Sequence, residues 1–248
     1  MKTLILCLPS LLAITVFGQH DPVTSDVYST KNAKATPILT GSTRFLETLE
    51  IRSVTLEPNA VAEADQRHDD LEELVIIKSG TLDVTQNNTT QSLGPGSVAL
   101  TLPGDNHSLA NSSGSPVTFY VLTYRSKGKA DNERGRMSGG SFMLDRNAIK
   151  FQEHDKGGIR RYYNRPTSMF ERMEMHVTTL NKGLSSHDPH THKADEIILL
   201  VKGQAEMYID GNRKPADEGS LSFLNSMVPH ALTNTGSGPC EYFAFQWE

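Results

Sequence analysis

The chain has 248 residues, 37% apolar and 21% charged, the composition of an ordinary globular protein. Its formal net charge is -5, from 29 acids and 24 bases, and no basic stripe runs through it. Phosphate binding needs clustered Lys and Arg, so nucleic acid is excluded as a natural partner and small molecules become the expected ligands.

Reading from the N-terminus, Lys2 carries one positive charge, residues 4–17 are largely apolar, and Gly18 supplies a small residue before Gln19. This layout predicts a secretory signal peptide over residues 1–18, and so a secreted or periplasmic protein with no membrane anchor after cleavage. The apolar run is shorter than the roughly 20 residues that a spanning helix needs. Cleavage would leave Cys240 as the only thiol, which rules out an intrachain disulfide and suits a small core residue.

Residues 38–125 read as a first domain of short strands. Leu74-Val75-Ile76-Ile77 is a β-rich apolar run soon stopped at Gly80, and Gln86-Asn87-Asn88 is a hairpin-sized polar turn. Residues 126–141 are polar and glycine-rich and read as a linker. Residues 142–248 form a second domain, although 143–166 could instead pack back on the first. Here residues 197–201 repeat the apolar run, and Asp210-Gly211-Asn212 gives a strong turn signal. Strands at this short, regular spacing predict an all-β antiparallel sandwich or barrel.

The two domains repeat one another. Glu73, Gly80, Gly96, His107 and Asn111 match Glu196, Gly203, Gly219, His230 and Asn234 without a gap. In the second copy, His190 and His192 are two apart, so on a strand they point to one face; Glu196 begins the next strand and His230 returns on a later one. Three imidazoles and a carboxylate suit a divalent Mn, Fe, Co, Ni, Cu or Zn ion and leave coordination positions open. His187, near these residues in sequence, reads as an exposed loop histidine.

These residues resemble the two signature motifs of the cupin superfamily: glycine, His-x-His, glutamate and glycine, then glycine, proline, histidine and asparagine. The resemblance covers both halves, so it implies two tandem cupin (jelly-roll, double-stranded β-helix) barrels. It also implies one divalent metal ion held by His190, His192, Glu196 and His230. In the second motif Asn225-Ser226-Met227-Val228-Pro229 stands where the family has Pro-x-Gly, a change of loop rather than of ligand.

The equivalent positions in the first copy are Arg67, Asp69, Glu73 and His107. Arginine stays protonated and is not a metal ligand. A guanidinium paired with Asp69 and Glu73 would fill the metal's place, giving a metal-free barrel. The alternative is a bulge that turns His68 inward, for a site of His68, Asp69, Glu73 and His107.

Cupins include dioxygenases, decarboxylases, isomerases, hydrolases and non-catalytic binding proteins, so fold alone does not name a function. One reading is a metal-dependent enzyme acting on a small polar metabolite, with a general acid or base drawn from Glu174, His176 or Tyr208. Residues 160–162 (Arg-Arg-Tyr) read either as solvated surface residues or as a carboxylate-binding group at the barrel mouth. The ligand set is similar to that of a quercetinase-like dioxygenase. The pairing of one degenerate and one metal-bearing barrel is similar to ureidoglycine aminohydrolases, but that family has Glu and His at the positions of His190 and His192, His for Glu196 and Gln for His230. The other reading is a non-enzymatic module that captures a sugar or organic acid. Cupins often pair barrels through sheet faces, within one chain or in a homodimer. Asn88 and Asn111 match glycosylation sequons.

Overall fold

A computed structural model describes residues 21–29 and 37–248; the expected signal peptide lies outside them. The first half contains β1 (Asp26–Tyr28), β2 (Pro37–Gly41), β3 (Leu46–Leu56), β4 (Val61–Arg67), β5 (Glu72–Ser79), β6 (Leu82–Gln86), β7 (Thr89–Leu93), β8 (Val98–Thr101), β9 (Asn106–Ala110) and β10 (Val117–Ser126). After a short helix, α1 (Asn132–Met137), come β11 (Phe142–Leu144), β12 (Gln152–His154), β13 (Gly157–Arg165), β14 (Met173–Leu180) and β15 (Asp195–Lys202). The chain closes with β16 (Gln204–Ile209), β17 (Asn212–Asp217), β18 (Leu221–Leu224), β19 (His230–Asn234) and β20 (Cys240–Trp247).

These strands make two tandem barrels, each a large sheet facing a small one. The N-terminal barrel joins β11-β8-β5-β10-β3-β2 to β4-β9-β6-β7, and the C-terminal barrel joins β1-β18-β15-β20-β14-β13-β12 to β17-β16-β19. Alternation explains the packing. On β5, Val75 and Ile77 point into their own barrel, while Leu74 and Ile76 join a core shared between the barrels. On β15, Ile198 and Leu200 point inward, while Ile197 and Leu199 join the same shared core. Burial on both faces is why these strands read as unbroken apolar runs.

The barrels also exchange edge strands: β1 pairs with β18, and β11 pairs with β8. Residues 142–144 therefore extend the first barrel's sheet rather than opening the second. The connection before them is partly helical, with the Asp131 side chain accepting from Arg134 N at 2.8 Å as an N-cap.

Two buried carboxylates reinforce the seam. Glu72 Oε1 accepts from Met169 N at 3.1 Å, just ahead of β14. Its pseudo-equivalent, Asp195, accepts from Ser226 N at 2.8 Å and lies close to Thr43 and Phe45, just ahead of β3. Burial pushes Glu72 up to about 7 and raises Asp195 too, against the hydrogen bonds they accept.

The turns are as the sequence predicts: Asn87 and Asn88 have φ of 46° and 69°, Asp210 and Gly211 of 47° and 84°. The motif glycines Gly80 and Gly203 also lie at positive φ, and a Cβ on Gly80 would stand 2.6 Å from Pro116 O. Asn111, by contrast, is buried, its side-chain amide donating to Leu56 O, Glu57 O and Ser115 O, so in the folded protein this sequon is closed to modification. Asn234 repeats that role with Leu180 O and Gly238 O.

Glu72→Ala should leave the Met169 N–H without its carboxylate and cost about 2–3 kcal/mol, read as a lower urea midpoint at unchanged m-value. Glu72→Gln, which keeps an acceptor, should lose less than half of that; equal midpoints for wild type and Glu72→Ala would show that the seam does not depend on this contact. Cys240 is fully buried, and burial pushes its thiol up to about 11. It should resist a thiol reagent until the chain is unfolded.

Candidate metal centre

The site is assembled by backbone pairing. His190 N donates to His230 O at 3.2 Å and His230 N donates to His190 O at 3.1 Å. Residues that exchange both hydrogen bonds carry their side chains on one face of the ladder. His192, two residues on, is held by Met227, whose backbone in the left-handed region (φ 67°) aims its N–H at His192 O, 2.8 Å away. Glu196 enters from β15 on the same inward face as Ile198.

Glu196 Oε2 lies 2.9 Å from His230 Nε2 and 3.2 Å from His192 Nε2. His230 Nδ1 bonds Val228 O at 2.8 Å and His192 Nδ1 bonds Ala194 O at 3.0 Å. A carbonyl acceptor requires the proton on Nδ1, which leaves each Nε2 lone pair facing the cluster. One ring nitrogen from each of His190, His192 and His230 lies within 4.8 Å of the others. That matches the roughly 4.2 Å between opposite ligands on an ion with bonds of about 2.1 Å. His230 Nε2 is buried with no hydrogen bond of good geometry. Such an orphaned atom, inside a three-imidazole, one-carboxylate set, fits a divalent first-row ion.

Charge favours the same occupant. Burial works to raise Glu196, but the His192 and His230 imidazoles outweigh it and hold the carboxyl at about 2. Burial, together with His187, His230 and His192, lowers His190 and so favours the neutral, ligating form. His230 is buried, His192 half-buried and His190 exposed, so the cluster runs from the barrel floor to its mouth.

A cavity of about 270 Å³ opens from this exposed edge, lined by His190, His192 and Glu196 together with Lys156, His176 and Tyr242. His176 Nδ1 bonds Glu174 Oε1 at 2.8 Å, and Gln246 Nε2 donates to Glu174 Oε2 at 2.8 Å. Burial works to raise Glu174, but the bond to His176 holds it below the ordinary carboxylate range. Tyr208 is placed elsewhere: it alternates with inward Met207 and Ile209 on β16 and faces away from the interior. His187 is exposed but lines the cavity, its ring 4.0 Å from that of His190.

Residues 160–162 do not form a carboxylate site at the mouth. Arg160 stacks on Phe151 at 4.7 Å, Arg161 Nη1 donates to Gln152 at 2.6 Å, and the Tyr162 hydroxyl donates to Gly96 O at 2.6 Å across the seam. Lys156 takes the mouth position instead. It sits in the turn between β12 and β13, where no sequence signal marks it.

The family model for the cupin domain matches residues 52–123 and again 176–245. The chain belongs to the cupin family. No curated protein matches it. Among solved structures, a structural-genomics target from Pseudomonas aeruginosa is similar at 18% identity and a TM-score of 0.66, covering 94% of this chain and 95% of its own. Ylba from E. coli is 17% identical with a TM-score of 0.63, covering 81% and 77%. Salicylate 1,2-dioxygenase from Pseudoaminobacter salicylatoxidans, in adducts with gentisate, is 13% identical with a TM-score of 0.59, covering 80% and 68%. At these identities the likeness is one of fold.

The cupin's first barrel departs from the expected arrangement. Arg67 does not fill a metal's place: its side chain is 58% exposed and its Nε pairs with exposed Asp69 at 3.0 Å. The reason is register. In β4 the pairing with β9 shifts at Glu63 and again before Gln66, and Asp65 sits at φ 48°. Gln66, not Arg67, therefore opposes His107. A one-residue slip flips every following side chain to the other face, so Arg67 and Asp69 turn outward and His68 turns in.

In the metal-free chain, ionised Glu196 should contribute up to about 3 kcal/mol of stability. Because its folded pKa is depressed, that contribution is present above the ordinary glutamate value of 4.5 and lost as pH falls toward about 2. Acid unfolding of apo Glu196→Gln, followed by circular dichroism, should be shallower over this window; an unchanged profile would contradict the assignment.

Proposed function

We propose that this cupin is an exported, metal-dependent enzyme that acts on a small polar acid in its C-terminal barrel. The observation that carries the reading is that one cavity joins the exposed edge of the His190, His192, Glu196 and His230 cluster to the His176–Glu174 pair. A bound divalent ion would supply Lewis acidity toward a substrate oxygen or, if it is iron or copper, redox chemistry with dioxygen.

His176 is the group suited to proton transfer. Its Nδ1 is tied to Glu174 and Glu174 is tied to Gln246, so the ring is fixed with Nε2 available to take a proton from substrate and return it. Glu174 is a positioning residue for that ring. Tyr208 has no role in this scheme. Lys156 donates to Ser185 O at 3.0 Å and Ser186 O at 3.1 Å, pinning the loop that leads into His190. An ammonium has three donors, and the remaining one can meet a substrate carboxylate or phenolate at the mouth. A hydroxylated aromatic acid has the required size and charge, which makes salicylate and gentisate the first compounds to test, with flavonols as the phenolate-only comparison.

His190→Ala/His192→Ala should lose one equivalent of metal and all turnover. Glu174→Gln and His176→Gln should keep that metal while kcat falls by about 10²-fold or more. Elemental analysis with oxygen uptake or product formation reads both. Wild-type metal content in the double histidine variant would overturn the metal assignment, and undiminished kcat in His176→Gln would overturn the base.

A further inference from the structure

We propose that Tyr242 and Thr178 form a second recognition point in the C-terminal cavity, which takes a neutral hydroxyl of the substrate remote from the oxygen that meets the metal. This rests on the proposed function and narrows its substrate class to a small acid that carries a further hydroxyl on its ring or chain. Neither residue belongs to the His190, His192, Glu196 and His230 cluster or to the His176–Glu174–Gln246 chain, yet both line the same cavity.

Strand register lays out the wall of the cavity in three rows, with β20 running between β15 and β14. In the first row Gln246 lies between Glu196 and Glu174. In the second Ala244 lies between Ile198 and His176, and in the third Tyr242 lies between Leu200 and Thr178. Successive rows are two residues, about 7 Å, apart along the strands. The middle row has its smallest side chain at the centre. A ring seated over Ala244 therefore has the metal-side row at one end and the Tyr242–Thr178 row at the other.

The N-terminal barrel supplies the comparison. Its register places Phe119 between Ile77 and Val54, and Val121 between Val75 and Arg52. Phe119 is fully buried and packs with Val54 in an apolar interior. The C-terminal barrel has Thr178 where the first has Val54 and Tyr242 where it has Phe119, so each position differs by a hydroxyl at nearly constant shape. It also has Ala244 for Val121, which makes room. Closing a barrel thus does not require the two hydroxyls.

Tyr242 belongs to the apolar core of its barrel with Leu180, Ile198 and Ala244 and is only 4% exposed. Its hydroxyl lies close to the side chains of Thr178 and Ser186. The Ser186 hydroxyl is engaged, donating to Leu232 O at 3.2 Å. Hydroxyls placed in such a wall cost free energy unless they are hydrogen-bonded. Each of Tyr242 and Thr178 both donates and accepts and carries no charge, a combination that suits a neutral hydroxyl, whereas a carboxylate is served by the Lys156 ammonium at the mouth.

The test is calorimetric titration of the Co²⁺-loaded full chain with gentisate and with salicylate, which lacks the second ring hydroxyl. Wild type should bind gentisate about tenfold or more tightly than salicylate. Thr178→Val/Tyr242→Phe, which installs the residues of the N-terminal barrel, should erase that preference by weakening gentisate while salicylate holds its affinity. Equal affinities in wild type, a preference kept in the variant, or equal losses for both compounds would overturn the proposal. If wild type binds neither compound, the aromatic-acid reading fails, and urea unfolding of the metal-free chains decides the hydroxyl pair by itself. A midpoint in the double variant no lower than that of wild type supports a recognition role; a lowered midpoint makes the pair a structural contact and overturns it.

Discussion

β5 and β15 are each buried on both faces, one toward their own barrel and one toward the other barrel, and the rest of the molecule is arranged around that double burial. Side chains alternate, so each adjacent pair of acids at a strand start is split. Glu73 and Glu196 enter barrel interiors, while Glu72 and Asp195 enter the seam. Two neighbouring carboxylates thus have different environments and different work. One is set among imidazoles; the other accepts a backbone N–H, from the segment leading into the opposite barrel for Glu72 and from Ser226 for Asp195.

The same alternation orders the C-terminal cavity. On β14, Met173, Met175 and Val177 fill the shared core, which leaves Glu174 and His176 to face inward. On β20, Phe243, Phe245 and Trp247 fill the shared core, and Tyr242, Ala244 and Gln246 line the cavity. Apolar packing between the barrels therefore sets the aim of the polar groups inside one of them. The His176–Glu174–Gln246 chain of hydrogen bonds gains its rigidity from a core several ångströms away on the other side of the sheet.

The two barrels show how a shared framework yields different sites. In the C-terminal barrel His190 opposes His230 in an isolated antiparallel bridge outside the named strands; in the N-terminal barrel β4 is bulged and Gln66 opposes His107. The C-terminal cluster is thus open with a cavity beside it, and the N-terminal one is closed, with imidazole and carboxylate atoms crowded together.

The repeat, the all-β class, the turn positions and the convergence of His190, His192, Glu196 and His230 were legible in the sequence, because each depends on local chemistry or on ungapped spacing. An Asp-Gly turn, an apolar run ended at a positive-φ glycine, and His-x-His on a strand all carry their geometry with them. The exchange of β1 and β11 between barrels was not legible, because a short strand does not state which edge it joins. Lys156 at the cavity mouth was hidden for a similar reason: only the folded loop brings it beside Ser185 and Ser186. The N-terminal cluster depended on register. Ungapped alignment put Arg67 inside, and only the paired strands, with Asp65 at positive φ, showed the slip that turns Arg67 out and His68 in.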